Sequence, residues 1–183
     1  MKRYALAILA IVGLLSGCSA VYAPQPMGDK AVKLDSSWAG TWLSDDATVR
    51  TAVIDAAGGL LQFAWLEAKD DGIQMESYRV AIRARGDTMF ANVRDEESEH
   101  GYHWFLVEKK SDRLALVWGP DAEQFARAID EKTLPGRRLN PDDPKSDDVL
   151  LGELEPEHID RIIDPASGLL DWKDPLVLVR VAD

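Results

Sequence analysis

Between Gly40 and Trp118 apolar and polar positions alternate in short runs, broken by turn-forming residues about every 8–12 positions, the period-two pattern of strands with one buried face. Tyr78, Val80, Ile82 and Ala84 fall on one side of the clearest run and Arg79, Arg83 and Arg85 on the other. Gly86-Asp87 supplies a hairpin turn into Met89, Ala91 and Val93, and Asp70-Asp71-Gly72 sets off a preceding strand at about Leu60–Glu67. Tyr102, Trp104 and Leu106 alternate with His103, Phe105 and Val107, and Ser111-Asp112 turns the chain into Leu114–Trp118. Successive hairpins of this kind predict an antiparallel meander. Thr51–Ile54 reads two ways, as a strand or as part of a short helix capped by Ser44, Asp45 and Asp46.

Beyond Trp118 the period becomes helical. Gly119-Pro120-Asp121 has the form of a helix start, followed by an apolar stripe of Phe125, Ala126 and Ile129. A second helix is predicted from about Pro156, presenting Ile159, Ile162 and Ile163 and stopped by Asp164-Pro165. Leu176–Val181, bounded by Pro175, is short and β-branched, as a last strand is. The fold class expected is therefore mainly β (α+β): an antiparallel meander of about eight strands, as a closed or partly closed barrel, with two helices inserted before the last strand.

Composition narrows the function. The 183 residues suit one domain, and 32 acidic against 21 basic residues give a net charge of -11, which repels nucleic acid and leaves no nucleic-acid partner expected. One cysteine allows neither an internal disulfide nor a cysteine-rich zinc site. Lys2 and Arg3 precede an apolar run from Tyr4 to Leu15 and then small residues, the three parts of an export signal. At 1.5 Å per residue the run reaches roughly 18 Å, short of a hydrocarbon core of ~30 Å, so it reads as a segment to be removed.

Leu15-Ser16-Gly17-Cys18 resembles the lipobox of bacterial lipoproteins. That resemblance implies a diacylglycerated Cys18, cleavage just before it, acylation of the new amino terminus and a membrane anchor. It also implies that Ser19, standing where Asp would retain the protein at an inner membrane, directs it to an outer membrane, facing the periplasm of a bacterial envelope. The expected organisation is a signal peptide at 1–17, the lipidated cysteine and a flexible tether at 18–37, and one globular domain at 38–183. A polar tether from Ser19 to Ser37 would have an r.m.s. span of roughly 24 Å.

Gly40-Thr41-Trp42 resembles the Gly-x-Trp start of the first strand of lipocalins and related calycin barrels, which implies a barrel that binds a small apolar or amphipathic ligand. Of six tryptophans, Trp42, Trp65, Trp104 and Trp118 are the candidate ligand-binding residues, with an aromatic core as the plainer reading. Asp95, Glu96, Glu97, Glu99, His100 and His103 have the chemistry of metal ligands, but His100 and His103 point apart on an alternating strand, so a solvated turn and no metal site is expected. The four aspartates Asp142, Asp143, Asp147 and Asp148 lack calcium-loop spacing and read as solubilising charge. Arg79, Arg83 and Arg85 are expected to pair with acids such as Asp95 or Glu108, with a small-anion site as the sharper reading.

Nucleophile elbows, Ser-x-x-Lys, His-Glu-x-x-His, phosphate loops and dinucleotide fingerprints are missing, so no catalytic residue, no enzyme activity and no cofactor beyond a lipid on Cys18 are expected. Two functions remain: a structural or protein-interaction module with an envelope protein partner, which the sequence favours, and binding of a small apolar ligand.

Overall fold

The computed structural model describes residues 19–45, 47–69, 72–94, 99–143 and 145–182. The signal segment, the lipobox through Cys18, and Asp95, Glu96 and Glu97 lie outside the described residues.

Eight strands close into an antiparallel barrel. In chain order the molecule runs β1 (Val21–Ala23), β2 (Lys30–Ala31), a 3-10 turn (Ser36–Trp38), β3 (Gly40–Leu43), β4 (Thr48–Asp55), β5 (Leu60–Lys69), β6 (Gly72–Arg85), β7 (Thr88–Arg94), β8 (Tyr102–Ser111) and β9 (Leu114–Trp118). There follow α1 (Ala122–Asp130), β10 (Gly136–Arg138), β11 (Val149–Leu151), α2 (Pro156–Ile163), a second 3-10 turn (Pro165–Ser167) and β12 (Leu176–Ala182). β3 to β9 pair each with the next, and β12 pairs with β9 on one edge and β3 on the other, which completes the ring. Full closure leaves this wall without a free edge. An eight-stranded antiparallel meander with two short helices is consistent with a calycin-like body. Thr48–Asp55 is a strand, so the helical alternative there falls: Val49, Thr51 and Val53 face inward at the strand period.

Alternation gives the wall two apolar faces on one side. On β8, Phe105, Val107 and Lys109 point inward, while Trp104 and Leu106 point outward into a second core. That core packs Phe90, Trp104, Leu106 and Trp118 of the wall against Phe125 and Ile129 of α1 and Ile159 and Ile162 of α2. Both helices start where their residues allow. Asp121 caps α1 by accepting the Gln124 N–H at 3.1 Å, and His158 Nδ1 accepts the Glu155 N–H at 3.0 Å at the start of α2.

The expected tether is instead part of the body. β1 pairs with β8 and β11, Val21, Met27 and Leu34 are buried, and β2 pairs with β6. The arginines expected to pair with Asp95 or Glu108 serve this segment: Arg83 donates to the carbonyls of Gly28 and Asp29 at 2.9 Å each, and Arg85 reaches Asp29 Oδ1 at 3.4 Å. Arg79 is exposed and Glu108 pairs with Lys110. The packed body thus begins at least at Ser19, and not at Trp38.

Candidate binding cavity

The segment from Met27 to Ala39 crosses one end of the barrel. Val32 donates its N–H to Ile82 O at 3.0 Å, Leu34 donates to Ala56 O at 2.9 Å, and the Leu34 side chain packs on Leu61, Val80 and Ile82. The approach is close enough to need glycine: Gly59 has φ +71°, and a Cβ there would stand 2.5 Å from Ile82 O and 3.0 Å from Val32 O. Trp38 closes this end from within, with Lys109 Nζ 5.7 Å from the centre of its ring. Lys109 also donates to Ser37 Oγ and to Asp112 Oδ1. Hydrogen bonds from the Ser37 side chain and backbone hold the Asp35 carboxyl below its usual range, and the Lys109 bond and charge do the same for Asp112.

Beneath this plug the interior holds empty space walled by apolar groups. The cavity measures about 130 Å³ and is lined from every barrel strand, by Trp42, Leu61, Phe63, Trp65, Val80, Ala91, Phe105, Val117 and Leu178 among others. Its few polar wall groups are already engaged. Thr51 Oγ1 accepts from Trp42 Nε1 at 3.0 Å and donates to Trp38 O at 2.6 Å. Tyr78 donates its hydroxyl to Glu76 Oε2 at 2.6 Å, and burial followed by that bond raises its pKa well above the ordinary phenol value. Trp65 is 4% exposed and stacks on Phe63 with ring centres 6.4 Å apart; its Nε1, like those of Trp104, Trp118 and Trp172, is buried with no partner among the described residues.

Of the four candidate tryptophans, Trp42 and Trp65 line this cavity, and Trp38 joins them. Trp104 and Trp118 do not. They face the second core, where Trp104 packs edge-on against Phe90 and Phe125 and Trp118 lies 5.3 Å from Trp172. The parity of the strand separates the faces, but both faces of β8 are apolar, so parity alone does not say which one is the interior.

His100, His103, Asp147 and Asp148 have structural partners. His100 and His103 both lie against the ring of Tyr22, with ring centres 5.2 and 4.6 Å away, so the chain bends between them. Asp147 pairs with Arg138 at 3.0 Å, and Asp148 accepts from Asn140, Ser146 and the backbone of Ala20, more than the solvated role expected of these acids. Among the described residues no three or more His, Cys, Asp or Glu side chains are grouped to hold a metal ion. Comparison of the chain with protein-family models, with curated proteins and with solved structures finds no match.

Proposed function

We propose that this is an envelope lipoprotein, anchored through Cys18, whose barrel binds a small apolar or amphipathic molecule in its interior. The observation that carries the binding role is the apolar cavity of about 130 Å³ inside a closed barrel. A dry apolar cavity of about 150 Å³ admits a benzene-sized guest, so a single ring or a short hydrocarbon chain matches the space.

A structural or interaction module, the role the sequence favours, has no need of an interior void; that void is why ligand binding ranks first. The anchor, the export signal and an outer-membrane, periplasm-facing address rest on residues 1–19 of the sequence. Cavity filling tests the binding role. Ala91 lines the void, and Ala91→Leu places three further carbons in it. Uptake of an apolar fluorescent dye by the parent protein, lost in Ala91→Leu at an unchanged or higher melting temperature, is the expected result. Equal dye binding by both proteins would overturn the reading.

A further inference from the structure

One end of the barrel is plugged by the segment from Met27 to Ala39; the interior clusters draw their other members only from barrel strands and from Ala47 in the β3–β4 turn. The unplugged end is where β3 stops, β5 turns into β6, β7 leads into β8, and β12 starts. Its rim is apolar on the outside. Leu43, Thr48, Leu66 and Met75 are consecutive register partners across β3 to β6, and Ile73 opposes Ala68 further toward the hairpin tip. Ile73 is 76% and Met75 64% exposed, and Leu43 and Val177 are exposed beside them. At the plugged end Ile54 is exposed beside the tip Asp55–Gly58, while that tip, Gly86-Asp87 and Asp112-Arg113 present small or charged residues. Val179 and Val181 continue the exposed apolar row down β12, but the two most exposed, Ile73 and Met75, gather at the open rim, and such a cluster marks a contact surface.

The chain itself says what that surface meets. Ser19 Oγ accepts the Asp147 N–H at 2.6 Å, Ala20 N–H donates to Asp148 Oδ1 at 2.6 Å, and Val149 N–H donates to Ala20 O at 2.9 Å. The body therefore holds the chain up to Ser19 and leaves no slack before residue 18, whose Cα is only about 3.8 Å from the next. Ser19 and Ala20 share a cleft with His103, Phe105 and Pro120, just past the end of β9, and Phe105 lines the main cavity as well. An anchor at Cys18, or in the 12-residue apolar run before it, is thus joined to the body at its open end.

We propose that the barrel docks on a lipid bilayer rim first, with Leu43, Ile73, Met75 and Val177 in the interface and the mouth toward the membrane, so that an apolar guest passes between bilayer and cavity without crossing bulk water. This rests on the anchored, ligand-binding reading above. The rim carries Asp45, Glu99 and Asp174 beside Lys69, Arg94 and Lys173, and the connections at this end also contain Asp46, Asp70, Asp71, Asp95, Glu96 and Glu97 in sequence. Such a rim gains nothing from anionic lipid. The fit is to a zwitterionic surface, through apolar contact.

The test uses the full chain in phosphatidylcholine vesicles, with a photoreactive amino acid replacing either Met75 at the rim or Asp87 at the plugged end. Both sites are exposed, so folding is spared. Lipid adduct at 75 exceeding that at 87 by about tenfold is expected, the ratio an orientational preference of one tenfold equilibrium constant produces. Inserting a flexible linker of about 20 residues between Cys18 and Ser19 should reduce that excess. Flotation with the vesicles but equal adduct at both positions, or more at 87, would overturn the orientation and leave anchoring standing. Failure to float would overturn anchoring and orientation together. Adducts between two copies through position 75, in place of lipid, would make the rim a self-association surface and overturn the proposal. Dye uptake in Ala91→Leu reports on the cavity separately.

Discussion

Asn92 holds Met27 by both backbone polar groups of that residue: its Oδ1 accepts the Met27 N–H at 2.6 Å and its Nδ2 donates to Met27 O at 3.1 Å, across 65 residues of chain. Asn92 is 1% exposed, on the outward face of β7, and the bond pair fastens the amino-terminal segment where it passes from the second core to the plugged end. Asn92→Leu would leave both Met27 groups buried without partners. At about 1–3 kcal/mol for each, a loss of about 2–6 kcal/mol is expected. Urea unfolding should show the midpoint falling at an unchanged slope, and limited proteolysis should cut first between residues 24 and 34.

That contact also marks where sequence reasoning stops. The strand period of Tyr78, Val80 and Ile82, the turn at Gly86-Asp87 and the cap at Asp121 are local signals, and each element they announce is present. Val21, Met27 and Leu34 stand singly in a polar, proline-containing stretch with no period. What buries them is distant, namely Asn92, the β1–β8 pairing and the barrel interior, so the stretch reads as a tether until the partners are seen. The candidate site divides in the same way. Trp42 and Trp65 follow their strand parity inward, whereas Trp104 and Trp118 lie on strands whose outer face is covered by helices that pattern alone does not dock.

Acid should loosen the plug. Asp35 and Asp112 have carboxyls held below their usual range by Ser37 and Lys109, so their contribution is complete above the ordinary aspartate pKa and is lost as pH falls through the depressed values. Lys109→Met removes the partner of Asp112 and one of the influences on Asp35. Melting temperatures measured between neutral pH and pH 3 should fall more steeply for the parent than for Lys109→Met. Parallel curves would count against the network.

Removal of residues 175–183 should abolish folding. β12 supplies ladders to both β3 and β9, and without it the ring opens, baring two edges and the inner faces of Trp42 and Ala115. The truncated chain is expected to be insoluble or rapidly degraded. A soluble product with a single unfolding transition at the parent temperature would refute this.

Cys18→Ser should end acylation. Metabolic labelling with a fatty acid is expected to give no labelled product, and the precursor should stay uncut or be cut elsewhere. Labelling at the parent level would refute the lipobox assignment.

The bond from Arg180 Nε to Ala39 O, at 2.9 Å, spans 141 residues, beside the strand pair that seals the ring. Its consequence is one of timing. A chain emerging amino terminus first can form hairpins from β3 to β9 as they appear, yet the partner of β3 arrives only after both helices have been made. Loop closure over such a distance is slow, and until it happens the interior is an open, wettable sheet. The cavity therefore exists in no partly synthesised chain, and any guest must wait for the final strand.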